Sequence, residues 1–102
     1  MRGEVYRLPA RGKGHEEMGR RYAVVLQPEW LSLSTWVVAF TTSTSARETS
    51  FRPPVLIADR QTLVMCDQLA TVDLQRLSEV IGFLTVEEMQ RVEEALALVL
   101  DL

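Results

Sequence analysis

Between Gly14 and Leu26 the chain sets His15, Glu16, Glu17, Arg20 and Arg21 within seven positions and then turns apolar. A guanidinium can donate to two oxygens of one phosphate, and it does so best when regular structure holds its backbone. Arg21 stands at the mouth of the run Tyr22-Ala23-Val24-Val25-Leu26, where a strand would hold it. The Gly-rich loop before it brings His15, whose imidazole titrates near neutrality, and the carboxylate of Glu16. Such a set could bind and strain a phosphate while moving a proton. Equally, Arg21 could form a structural ion pair with Glu16 or Glu17.

Positioning such groups needs a rigid frame, and the rest of the chain reads as one. Residues 3–8 alternate apolar and polar as a half-buried strand does, and Pro9 ends the run. Residues 10–19 are too polar and Gly-rich for core. The nearly continuous apolar run 21–27 reads as a central strand, stopped by Pro28. Residues 35–42 are rich in β-branched and aromatic side chains and form a third strand, followed by a hydroxyl-rich loop over 43–50. Residues 54–57 suit an edge strand because of their proline, 62–69 a further strand, 73–77 one helical turn and 80–84 a last strand. Thr85 and Glu88 fit a capping box. Beyond it Val86, Met89, Val92, Leu96 and Val99 recur at three- and four-residue steps, one apolar stripe that docks the helix onto the sheet. Short strands followed by one long helix give an α+β chain, a small, mostly antiparallel barrel or curled sheet covered by a helix.

At 102 residues the chain reads as one domain, 1–102. No apolar run reaches the roughly 18 residues of a membrane span, and the first residues lack the apolar core of a signal peptide, so the expected location is the cytoplasm. The single cysteine, Cys66, excludes an internal disulfide and sits in the apolar run Leu63-Val64-Met65-Cys66, where it reads as a small buried hydrophobe. One histidine and one cysteine far apart match no zinc spacing, and neither a metal nor a cofactor is expected. The net charge of −3 argues against a nucleic-acid ligand until it is divided along the chain. Residues 1–52 carry eight basic and five acidic side chains, whereas residues 53–102 carry three basic and nine acidic ones. That asymmetry permits a local basic patch on an acidic protein.

Five segments, in order and in register, resemble the MazF/PemK toxins, ribosome-independent RNA-cutting enzymes of bacterial toxin–antitoxin pairs. Arg2-Gly3-Glu4-Val5-Tyr6 is similar to the family's RGDVY opening, and Gly14 to Leu26 to its GxEQxGxRPxxVL segment. Val37-Val38-Ala39-Phe40-Thr41 resembles the strand that ends in the family's active-site threonine. Residues 64–77 resemble its xDQxRTxDxxRL run, and Gly82-Phe83-Leu84 with Glu87-Glu88-Met89 the start of its C-terminal helix.

The resemblance implies an SH3-like barrel with a C-terminal helix, working as a homodimer on single-stranded RNA without a metal. It implies an antitoxin partner, MazE-like, whose extended acidic tail blocks the RNA groove. It places the active-site arginine at Arg21 and the active-site threonine at Thr41. The substrate's 2′-hydroxyl would attack the adjacent phosphorus, giving a 2′,3′-cyclic phosphate and a 5′-hydroxyl. Arginine stays protonated, so the base would be His15 or Glu16, or the phosphate clamp would suffice alone. Arg11, Lys13, Arg20 and Arg52 would hold flanking phosphates, and Gln68 would read a base edge. Trp36 is expected in the core or at a dimer interface in preference to stacking on bases. Tyr22 for the family's proline, Glu17 for glutamine and Ala70 for a basic residue bear on substrate preference. Two other readings stay open. One is a gyrase poison of the same architecture, like CcdB, whose tryptophan-bearing C-terminal end differs from Val99-Leu100-Asp101-Leu102 here. The other is a member without catalysis that binds an antitoxin or nucleic acid.

Overall fold

The computed structural model describes residues 2–8, 22–43, 49–77 and 79–102. Among them are strands β1 (Glu4–Arg7), β2 (Tyr22–Val25), β3 (Thr35–Ser43), β4 (Pro54–Ile57), β5 (Arg60–Asp73) and β6 (Val80–Phe83). A 3-10 turn at Leu74–Arg76 precedes β6, and helix α1 (Val86–Leu100) follows it. The strands form one antiparallel sheet in the order β4-β5-β3-β2-β1-β6. It curls into a nearly closed barrel, with α1 lying across the opening between the edge strands.

The continuous apolar run of β2 has its cause in this topology. With β1 on one side and β3 on the other, all four of its residues are buried. Val24 and Tyr22 join Val5, Ala39, Val64 and Cys66 in the barrel interior, closed by Val92 and Ala95 of the helix. Ala23 and Val25 face the other way with Val38, beneath Tyr6, Trp36, Phe40 and Val72. Trp36 is partly buried and packs on Tyr6, with ring centroids 5.6 Å apart.

The helix is fixed by polar contacts as well as by its stripe. Thr85 caps Glu88 N–H, while one carboxylate oxygen of Glu88 accepts from Thr85 N–H at 2.8 Å. Its other oxygen accepts from the Leu56 N–H of edge strand β4, also at 2.8 Å. One glutamate therefore satisfies a helix end and a sheet edge together. Near the start of β1 and the end of β2, Arg2 pairs with Glu93 of the helix at 2.6 Å and donates to the Leu26 carbonyl at 2.8 Å.

Strand β5 differs from the expected span of 62–69: it covers 14 residues, Arg60–Asp73. Its start follows a two-residue hairpin whose Ala58 and Asp59 both take positive φ, 52° and 64°, the conformation of a type I′ turn. Its middle is strongly bulged. Between the pairs Ala39↔Leu69 and Thr41↔Val64, β3 advances two residues while β5 advances five. Within this bulge β5 bonds elsewhere: Val64 N–H donates to the Pro53 carbonyl at 3.0 Å and Cys66 N–H to the Phe51 carbonyl at 3.1 Å. The strand thereby turns the barrel's corner and sets Asp67 and Gln68 outside the β3 ladder.

Candidate functional site

The expected site divides between described and undescribed residues. Arg11, Lys13, His15, Glu16, Arg20 and Arg21 lie outside the described residues, while Thr41, Arg52 and Gln68 lie within them. Arg21 directly precedes β2 in the chain.

Thr41 occupies β3 opposite Val64, next to the bulge. It is 0 % exposed, and its hydroxyl has no hydrogen-bond partner among the described residues. Thr41 shares the inward direction of Ala39, two residues earlier, and sits where a hydrocarbon would normally be. Thr41, expected to donate to a phosphate, is thus buried within the barrel wall. Thr42, partly exposed, alternates to the other face with Phe40 and Val38.

Arg52 also departs from expectation. Rather than standing open to a phosphate, its fork grips Asp67, Nε to Oδ1 at 2.9 Å and Nη2 to Oδ2 at 2.8 Å. Both side chains are only about a quarter exposed, at 26 % and 27 %. The Arg52 hydrogen bonds hold the Asp67 carboxyl below the usual carboxylate range, helped by the Gln68 side chain, against the opposing effect of burial. The same contact raises the Arg52 guanidinium. Gln68, the next residue, is half-buried.

Cys66 is fully buried, and its thiol lies 3.8 Å from the Val92 carbonyl. Burial pushes it up to about 11, with Asp67 adding to the effect, so it stays protonated as the packing reading requires. At the N-terminal end of β2, the Arg7 guanidinium sits 5.9 Å from the Tyr22 ring centre and 3.8 Å from Glu79. Trp30 is 81 % exposed, on the connection between β2 and β3. Among the described residues no three His, Cys, Asp or Glu side chains converge as a metal site. No helix among the described residues is long and apolar enough to cross a membrane.

Comparison with known proteins places this geometry. A family model for the PemK-like, MazF-like toxin of type II toxin–antitoxin systems matches residues 1–100. A candidate toxin of Mycobacterium tuberculosis, Rv3098A, is 36 % identical over 105 residues, covering 100 % of this chain and 98 % of that protein. A mycobacterial endoribonuclease solved with its cognate antitoxin superposes with a TM-score of 0.81 at 23 % identity, over 100 % of this chain and 95 % of the other. The Mycobacterium tuberculosis toxin MazF-mt6 superposes with a TM-score of 0.77 at 22 % identity, over 97 % of each chain. The barrel, its corner bulge and the capping helix are thus those of a known toxin fold, and the chain belongs to the PemK-like, MazF-like toxin family of type II toxin–antitoxin systems.

Proposed function

We propose that this toxin is an endoribonuclease that cuts single-stranded RNA at a short sequence, using the substrate's own 2′-hydroxyl. The observation that carries the reading is the family match over residues 1–100, joined to the likeness with a mycobacterial endoribonuclease. In this reaction the 2′-oxygen forms a bond to phosphorus as the 5′-oxygen leaves. The 2′-proton goes to a base, His15 or Glu16, and the leaving oxygen gains a proton. The products are a 2′,3′-cyclic phosphate and a 5′-hydroxyl. Catalysis then rests on in-line positioning and on stabilising the phosphoryl charge.

Arg21 is the proposed phosphate clamp. Arg21 directly precedes β2 in the chain; on β3, Thr42 alternates onto the face of Val38 and Phe40, which packs with Ala23 and Val25, whereas Thr41 belongs to the opposite face, with Ala39 and Tyr22. Thr42 is therefore the better candidate for the hydroxyl donor, and Thr41 for a packing residue. Arg11, Lys13 and Arg20 would hold flanking phosphates. The partner would be a MazE-like antitoxin with an acidic tail, suited to the basic N-terminal half; the mycobacterial relative was solved with its own antitoxin.

The toxin would act in the cytoplasm as a homodimer, and light scattering at micromolar concentration should report twice the 11.6 kDa chain mass. A monomer there would contradict the dimer. Mixed single-stranded RNA incubated with the protein in EDTA tests the activity: selective cuts support it. Intact RNA with inhibited gyrase would favour the gyrase-poison reading, and intact RNA with active gyrase the non-catalytic one.

A further inference from the structure

Arg7 and Arg52 are held in different ways. Arg7 ends β1 opposite Tyr22, the first residue of β2, and its guanidinium lies over the Tyr22 ring, 5.9 Å from the centroid. That ring belongs to a residue buried in the barrel interior, so the surface under Arg7 is fixed by the core. On the other side the register with β6 slips. From Val5 to Tyr6 β1 advances one residue, while its partners on β6 go from Gly82 to Val80. Such a bulge adds twist and re-aims the residues beside it. Beyond it Arg7 N–H donates to the Glu79 carbonyl at 3.1 Å. The backbone of Arg7 is thus tied on both sides, to β2 and to the residue that precedes β6. The side chains of Arg7 and Glu79 meet loosely: Nε to Oε1 is 3.8 Å, too long for a hydrogen bond, and the two are 52 % and 68 % exposed. The fork of Arg52, by contrast, is closed on Asp67 at 2.9 and 2.8 Å.

A guanidinium whose face rests on an aromatic ring keeps its N–H edge in plane, and that edge is what grips a phosphate. An exposed ion pair contributes little stability, so exchanging its carboxylate for a phosphate costs little. The place matches as well. β1 ends, β2 begins and β3 runs out toward Ser43 at one rim of the barrel, and Arg21 directly precedes Tyr22 in the chain. We propose that Arg7, seated on Tyr22, is a further phosphate-binding residue that takes a phosphate flanking the scissile one, with Glu79 as the counter-ion the RNA displaces. This inference rests on the endoribonuclease reading for its substrate. It makes Glu79 a residue that opposes RNA binding.

The experiment measures fluorescence anisotropy of a labelled single-stranded RNA of mixed sequence with every 2′-oxygen methylated, which can be bound but not cut. Wild type, R7A, R7K, E79Q and the R7A/E79Q double variant are titrated at several salt concentrations, with a thermal melt of each. The same variants are compared in kcat/KM on the unmodified RNA. R7A should bind about fivefold more weakly, the upper range for one exposed ion pair. Its salt slope should be shallower by about 0.7, the share of one phosphate on a single strand. R7K keeps the charge but loses the planar edge, and should keep the wild-type slope while binding between wild type and R7A. E79Q should bind about twofold more tightly than wild type. That gain should vanish in the double variant, because the two residues act on one contact. R7A matching wild type in affinity and salt slope would overturn the phosphate contact. So would R7A and E79Q melting lower by the same amount with binding unchanged, the behaviour of an ion pair that only ties β6 to β1. A gain from E79Q that persists without Arg7 would overturn the counter-ion role. A wild type that binds the methylated RNA but leaves unmodified RNA intact overturns the endoribonuclease reading and leaves the contact standing. A wild type that cuts, beside an R7A protein with unchanged binding and kcat/KM, overturns the contact alone, and a wild type that neither binds nor cuts overturns both.

Discussion

Thr41 and Thr42 are neighbours in sequence and opposites in the fold. The resemblance stopped at Thr41, and nothing in the chemistry of the two side chains separates them; their direction from β3 does. A buried hydroxyl without a partner costs on the order of 1–3 kcal/mol, and replacing it by a methyl of like shape removes that cost. T41V should therefore melt at or above the wild-type temperature and retain RNA cleavage, whereas T42V should fold normally and lose at least about tenfold in rate, the order of one lost donor to the reacting phosphate. Thermal melts and single-turnover cleavage check both, and a T41V protein that folds but does not cut would return the role to Thr41. Asp67 offers a second test at this scale. Its carboxyl is lowered in the fold, chiefly by the Arg52 hydrogen bonds. The stability it contributes is then fully present above the ordinary carboxylate value, at about pH 4, and is lost as pH falls through the lowered one. The gap in stability between wild type and R52A should close as pH drops from 6 toward 2. A gap that stays constant would mean the pair does not titrate as described. The ion pair itself was not legible in the sequence, since Arg52 and Asp67 lie 15 residues apart and only the bulge unites them.

At the scale of elements, pattern reading worked where a single period ran uninterrupted. The capping box follows from spacing alone, as does the middle of the α1 stripe, Met89, Val92 and Leu96; its ends Val86 and Val99 are exposed, and Ala95, outside the expected stripe, is buried. Strand β2 reveals itself as central because both its faces are apolar. Strand β5 was legible only in part: its last four residues, Ala70 to Asp73, alternate apolar and polar with matching burial, but the run is short and leads straight into the 3-10 turn. Its pairing with β3 comes from the register across the sheet, which no local pattern encodes. The docking role of Glu88 was likewise half visible: the capping box was readable, but its second oxygen bonding Leu56 N–H depends on where β4 ends up. That dual contact makes a prediction. E88A leaves both the Leu56 and Thr85 N–H groups without their acceptor, and should destabilise the fold by about 2 kcal/mol. In a domain of this size, that is a fall in melting temperature of about 10 °C. Urea denaturation measures it, and a loss below about 0.5 kcal/mol would mean that the helix is held by its apolar stripe alone.

Across the whole molecule, charge is divided along the chain. It is acidic as a whole, yet its first half is net basic, a division that would suit the proposed RNA ligand. The acidic second half contains α1. The division is readable by counting charges along the chain, whereas the net charge alone points the other way. The family resemblance supplied Arg21, which period and charge could place beside β2 but could not by themselves assign to a phosphate. The central claim is that a guanidinium at the start of β2 and a hydroxyl at the end of β3 act on one phosphate of single-stranded RNA. The most direct measurement is cleavage of a mixed single-stranded RNA in EDTA by wild type, R21A and T42V, each confirmed folded by circular dichroism. Selective cuts by the wild type, abolished in R21A and reduced at least about tenfold in T42V, are the expected result; cleavage by R21A at the wild-type rate would contradict the account.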